Sequence, residues 1–155
     1  MTTEYGVIPR EIIKALDGLD VLKGILEGKL PTPPMARLMG FDLSEVHDGR
    51  VVFTATPTLD HYNPLGTVHG GFAATLLDSC MGCAVHSTLK AGHGYTSLEF
   101  KVNMVRALTE TTGKVTAEGK VIHAGRRTAT AEGTLRDSEG RICAHATTTC
   151  MILDL

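Results

Sequence analysis

The chain reads as an α+β fold in which one long buried helix is wrapped by a mostly antiparallel sheet. From His69 onward, Phe72, Ala73, Leu76, Leu77, Cys80, Met81, Ala84 and Val85 recur at spacings of three and four, the period of a helix. Before and after this segment lie runs rich in Thr, Val, Ala and Leu with rough alternation, divided by short turns, as expected of antiparallel strands. The remaining faces of the helix carry Ala74, Thr75, Ser79, Gly82 and Cys83, so it is apolar nearly all round and belongs inside a larger structure. With a single helix to cover it, the sheet has one face left to be solvated or covered by another copy.

Taken in order, residues 1–34 form a helical extension to a main domain at 35–155. Pro9 followed by Glu11 is a helix start. Ile12, Ile13, Leu16, Leu19, Leu22, Ile25 and Leu26 make a helical stripe interrupted by Gly18 and Gly24, which predicts two short amphipathic helices. Pro31-Thr-Pro-Pro34 closes them off as a stiff connector. The extension packs on the main domain or a neighbouring subunit, or forms a lid over a ligand. Met35–Met39 allows one helical turn ending at Gly40. Phe41–Val46 and Val51–Thr56 are strands joined at His47-Asp48-Gly49, where Asp-Gly is a strong hairpin signal. Asn63-Pro64 and Gly66 force a turn before the long helix, and Gly92-His93-Gly94 forms a loop after it. Strands follow at Tyr95–Arg106, Gly113–His123, Thr128–Asp137 and Arg141–Leu153.

The 155 residues suffice for one domain with a real core. The net charge of -2 and pI of 6.4 come with no basic stripe, so nucleic acid is not an expected partner. No charged segment leads into an apolar N-terminal run, and no stretch is apolar enough to span a membrane. A cytoplasmic protein is expected, with Cys80, Cys83, Cys143 and Cys150 as reduced, buried thiols.

One residue breaks the apolar helix. Asp78 is costly there unless it is paired or hydrogen-bonded. Gly70, Ala74, Asp78 and Gly82 stand four apart on one small-residue face, a slot where a ligand can approach the backbone and meet an acid.

Asn63-Pro-Leu-Gly-Thr-Val-His-Gly-Gly71, Asp78, and Thr96-Ser-Leu-Glu-Phe-Lys-Val-Asn-Met-Val-Arg106 together resemble hotdog-fold thioesterases of the phenylacetic-acid-degradation (PaaI-like) type. Gly125-Arg-Arg-Thr-Ala-Thr-Ala-Glu132 and Asp137-Ser-Glu-Gly-Arg141 match as well, so the resemblance covers roughly residues 35–153. It implies a hotdog fold, a dimer with two active sites at the subunit interface, and pairing of dimers into a homotetramer. It also implies hydrolysis of acyl-coenzyme A thioesters with aromatic or medium-chain acyl groups, and no cofactor, since coenzyme A is part of the substrate.

Carried onto these residues, the resemblance implies that the Gly70 N–H binds the thioester oxygen as charge develops there, aided by the helix dipole. Gly71 adjoins it in the binding site. Asn63 orients the thioester or the attacking water, and His69 assists on the thiolate side. Asp78, from the partner subunit, acts as general base or nucleophile. Thr96 or Ser97 positions the water. Arg126 and Arg127, following Gly125, and Arg106 supply cations for the phosphates of coenzyme A; otherwise they are solvated edge charges.

Other readings compete. Asp78 reads as a structural acid capping a loop, and His69 as a polar residue at a helix start. Cys80-Met-Gly-Cys83 has redox or zinc spacing, but it sits mid-helix with no second pair, which favours core packing. The histidines are scattered without ligand spacing, so no metal site is expected. Asp42 and His47 have the spacing of hotdog hydratases but fall on an early strand. A non-catalytic acyl-CoA-binding protein and a hotdog hydratase or dehydratase are therefore the alternatives to a thioesterase. Of the three, only the hydrolase releases free thiol.

Overall fold

The computed structural model describes residues 3–155. Short helices α1 (Arg10–Ala15), α2 (Gly18–Leu26) and α3 (Pro34–Met39) lead into strands β1 (Phe41–His47) and β2 (Arg50–Ala55). The long helix α4 (Gly70–Ser87) follows, then β3 (His93–Met104), β4 (Val115–Ala124), β5 (Thr128–Arg136) and β6 (Ile142–Asp154). All six strands form one antiparallel sheet in the order β1-β2-β4-β5-β6-β3. The single helix laid on an antiparallel sheet is the arrangement expected from the sequence, and every apolar helix position singled out there is buried.

Small residues on the inner face of the sheet set how closely α4 lies. Ala117 and Gly119 of β4, and Ala131 and Gly133 of β5, alternate with outward residues and are buried. A Cβ on Gly119 would stand 2.2 Å from the Cys80 carbonyl oxygen, so backbone meets backbone here. A Cβ on Gly133 would stand 2.9 Å from Met81 Cγ. Around these contacts Phe72, Leu76, Leu77, Met81 and Val85 are sealed from water, each burial contributing about 1.5–3 kcal/mol. The outward residues of β5 are Thr128, Thr130, Glu132, Thr134 and Arg136, a polar surface that faces solvent in the protomer.

The N-terminal segment docks at the far end of α4. Gly18 packs so tightly that a Cβ there would meet the His86 carbonyl oxygen at 1.9 Å, and its N–H donates to the Leu89 carbonyl. Asp17 accepts from Lys90 Nζ and the Ala91 N–H, both at 2.9 Å. Val21 and Leu22 are buried, and Leu22 joins the main core. Of the two glycine interruptions expected in this segment, only the one at Gly18 coincides with a break. Gly24 lies inside α2, its missing side chain making room for Leu30.

The strand ends differ slightly from expectation. β3 stops at Met104 because the next two amides, Val105 and Arg106, turn inward to the Cys143 carbonyl. β4 starts at Val115, after Gly113 takes a φ of 75°. In the β5–β6 turn the buried Asp137 carboxylate accepts from the Glu139 and Arg141 amides and from Arg141 Nε.

The seat of α4 is open to test. Gly119→Ala should lower stability by about 3 kcal/mol or more, since backbone must move. Denaturant unfolding measures it, and a stability within 0.5 kcal/mol of wild type would contradict the close contact.

Candidate active site

The loop entering α4 is built from its own hydrogen bonds. Asn63 Oδ1 accepts from the Leu65 N–H at 2.9 Å and the Thr67 N–H at 3.4 Å, while Nδ2 donates to Thr67 Oγ1 at 2.9 Å. Gly66, with a φ of 87°, closes the turn by donating to the Asn63 carbonyl. Asn63 is thus committed to shaping its loop, with one Nδ2 hydrogen left over. Two further bonds pin the exit of the loop: His69 N–H to the His61 carbonyl at 2.7 Å, and Val68 N–H to the Leu108 carbonyl at 2.9 Å.

His69 is the N-cap of α4, and its Nδ1 accepts from the Gly71 N–H at 2.8 Å. Two consequences follow. Neutral His69 carries its proton on Nε2, because Nδ1 is the acceptor. The Gly71 amide, one of the expected ligand contacts, is already taken. The Phe72 N–H donates to the His69 carbonyl. Among the described residues nothing accepts from the Gly70 N–H, so it is the free donor at a helix terminus, where the helix dipole favours negative charge.

Two cavities flank this first turn. One, about 370 Å³, has Gly70, Val68, Ala73, Met104, Leu108 and Leu135 among its walls, with Arg106 at its margin. The other, about 400 Å³, is bordered by Met39, Asp60, His61, His69, Phe72 and Thr75. The sequence alone assigns His61 no role; its ring lies 4.5 Å from that of Phe72, and its Nδ1 accepts from the Thr58 N–H at 2.9 Å.

Asp78 lies two turns further along, facing β3. Ser97 Oγ donates to its Oδ1 at 3.0 Å; of the two adjacent hydroxyls, Ser97 points at the acid and Thr96 is exposed on the other face. The small-residue slot is only partly open. At Gly82 it is filled by Tyr95, whose hydroxyl would stand 2.6 Å from a Cβ there, and at Gly70 it is covered by Met104. Ala74 between them is half-buried. Cys80 and Cys83 are packed in the interior; burial pushes the Cys83 thiol up to about 12 and that of Cys80 higher still, so neither is poised as a thiolate.

Within one chain these groups fall into two sets. Gly70 and Asp78 are eight residues apart, about 12 Å along the helix, too far for one carbonyl group to bridge. Arg106 accompanies Gly70. Arg126 and Arg127 border a separate cavity of about 770 Å³ with His93, Thr128 and Met151. Thr128 pairs with Met151, which pairs with Thr96, so these arginines sit about 10 Å, two strand spacings, from the β3 segment that holds Asp78. Gly125 closes the turn before them, donating to the Thr128 carbonyl. Among the described residues, none of the three arginines is paired with a carboxylate.

Met104 escaped sequence reading for an identifiable reason. Alternation from Ser97 would turn Glu99, Lys101 and Asn103 inward. A bulge between Ser97 and Glu99 resets the register, so Phe100, Val102 and Met104 pair with the buried Thr148, Ala146 and Ala144 instead.

The thioesterase superfamily model matches residues 65–144 of this chain. A 1,4-dihydroxy-2-naphthoyl-CoA hydrolase from Escherichia coli K12 is 29% identical over 119 residues, 75% of this chain and 86% of that protein. A phenylacetic acid degradation-related protein from Ralstonia eutropha JMP134 superposes with a TM-score of 0.76 at 26% identity, covering 84% of this chain and 98% of the other. A Streptococcus mutans UA159 protein solved with acetyl CoA bound gives a TM-score of 0.68 at 26% identity, covering 74% and 90%. The matched residues run from the loop before α4 to the start of β6 and take in Gly70, Asp78, Ser97 and Arg126; the chain belongs to the thioesterase superfamily, with its hotdog fold and PaaI-like relatives.

Proposed function

We propose that this protein hydrolyses the thioester of an acyl-coenzyme A, with an aromatic or medium-chain acyl group. The observation that carries the reading is the pairing of an unoccupied amide donor at the start of α4 with a serine-held carboxylate on the same helix. The E. coli relative is named as a CoA ester hydrolase and the S. mutans one was solved with acetyl CoA, which supports the substrate class.

The site is completed by a second copy. β3 is a free edge of the sheet, and Leu98, Phe100, Met104 and Val105 on or next to it are exposed. An unpaired apolar edge invites another strand. Met104 adjoins Gly70 and Ser97 holds Asp78. Antiparallel pairing of β3 with its copy, centred on Lys101, sets Met104 opposite the bulge that begins at the partner's Ser97. That register carries the partner's Asp78 toward the Gly70 amide and forms two equivalent sites. A dimer of this kind, paired again into a homotetramer, is the assembly we propose.

The thioester oxygen accepts from the Gly70 N–H. Ser97 occupies Oδ1 of Asp78, leaving Oδ2 to take a proton from water as its oxygen attacks the carbonyl carbon. The oxyanion of the tetrahedral intermediate is stabilised at Gly70 by the fixed amide and the helix dipole. Collapse breaks the carbon–sulfur bond, releasing the carboxylic acid and the thiolate, toward which His69 Nε2–H donates. Asn63 holds the loop that sets the start of α4. Arg126 and Arg127 meet the phosphates of coenzyme A, with Arg106 at the mouth of the Gly70 cavity.

Thiol release from a panel of acyl-CoA esters tests the assignment. Asp78→Asn should cut kcat by about a hundredfold to ten-thousandfold with unfolding unchanged; turnover near wild type would refute the role of the acid. Gly70→Ala separates activity from stability in the other direction. Only the mobile end of Met104 must yield, and alanine favours the helix by about 0.5–1 kcal/mol, so the fold should hold or gain. The crowded amide should lose at least about tenfold in kcat/KM. Replacing both Arg126 and Arg127 with alanine should raise KM for CoA esters by roughly tenfold or more with kcat little changed. An unchanged or lower KM would leave them as surface charges.

A further inference from the structure

A thioester held at Gly70 has two arms, and two cavities sharing His69 flank the first turn of α4. The pantetheine arm carries amides that need hydrogen-bond partners. The cavity bordered by Asp60, His61 and His69 offers them. The inner wall of the cavity on the Gly70 side is made by the buried Val68, Ala73, Leu108, Leu135 and Cys143, while His69 and Arg106 also line it. It suits a hydrocarbon, and its volume of about 370 Å³ lies within the range of small-molecule sites.

Met104 stands across that cavity. Its Cε and Sδ lie 3.1 and 3.3 Å from where a Cβ on Gly70 would be, so the thioether rests over the glycine to which the carbonyl must come. In the lone protomer Met104 is 52% exposed, on the strand edge that the proposed dimer covers. Its backbone neighbourhood is fixed, because the Val105 and Arg106 amides both donate to the Cys143 carbonyl, while the unbranched side chain turns about three bonds. A rigid wall crossed by one unbranched, adaptable thioether is the construction of a gate.

Resting on the thioesterase reading above, we propose that the Val68–Leu135 cavity takes the acyl arm and that Met104 is its gate, setting which chain lengths are accepted. Its size, rather than any charge, then determines the depth available behind Gly70.

Met104→Ala and Met104→Phe in the full-length protein test this, each compared with wild type at matched oligomeric state. Thiol release is followed from acetyl-, hexanoyl-, decanoyl- and palmitoyl-CoA. The alanine variant should raise kcat/KM for the longer esters relative to acetyl-CoA by roughly tenfold, and the phenylalanine variant should lower the same ratio by a similar factor. Calorimetric affinities for ethyl-CoA and decyl-CoA thioethers, which cannot be hydrolysed, should shift in parallel. Wild-type protein that releases no thiol from any ester overturns the proposed hydrolysis, while the thioether affinities still decide the gate. Uniform changes across chain lengths, with a constant ratio of decyl to ethyl affinity, overturn the gate and leave hydrolysis standing.

Discussion

The backbone of β4 touches the backbone of α4 at Gly119 and Cys80, and the position of everything functional follows from that contact. A helix usually stands off a sheet by the thickness of two layers of side chains, and at this patch, between Val115 and Leu135, the layer from the sheet thins to alanine and glycine. Gly119, Gly133, Ala117 and Ala131 give the helix a shallow seat, into which Met81 and Leu77 settle. Close packing leaves few ways for the helix to shift or roll. Its buried face is fixed by Leu76, Leu77, Cys80, Met81 and Val85, so the face bearing Gly70 and Asp78 is fixed as well. Precision at the site is inherited from residues that never touch it.

The first turn of α4 shows how a helix terminus is left with one open donor. The N-terminal amides of a helix lack partners within it, and satisfying them all would leave no anion site. His69 supplies two acceptors, Nδ1 for Gly71 and its carbonyl for Phe72. Gly70 is passed over, and with no Cβ it lets a ligand approach its amide. The cap thus stabilises the helix and selects the atom that remains. Asn63 belongs to the same device at one remove, since its three hydrogen bonds fold the loop that delivers His69 to its place.

Much of this was legible in the sequence where the signal was local. The apolar positions of α4 follow helical spacing because one element faces one core, and the turns at Asp48-Gly49 and Asn63–Gly66 follow from backbone chemistry. Asp78 stands out because a lone acid in an apolar helix breaks a local rule, whereas the role expected of Gly70 comes from the family resemblance. What could not be read was pairwise in space. Gly82 looks like an opening until Tyr95, from another element, fills it. Gly71 looks like a ligand contact until the His69 side chain occupies its amide. The choice of Ser97 over Thr96 needs the direction of β3, and that of Met104 over Asn103 needs the bulge that reverses its alternation. Gly24 looks like a helix break because propensity says so, whereas Leu30 packed against it outweighs a cost of about 1 kcal/mol.

The straightness of α4 has one more consequence. A continuous helix fixes the distance between residues 70 and 78 at about 12 Å, and neither end can bend toward the other while the seat at Gly119 and Gly133 holds the middle. The amide and carboxylate of the proposed mechanism can act together on such a helix only across two copies of it, running in opposite senses. In the proposed dimer the free edge of β3 supplies the means, because antiparallel pairing of a strand with itself reverses the attached helix by symmetry. The residues that cover the edge are apolar where they lie between the two half-sites, at Phe100 and Met104. Burying that strip would therefore close the sheet edge, shield the reacting carbonyl from bulk water and bring the acid to the amide in a single step, so that association of the chains and assembly of the site become the same event.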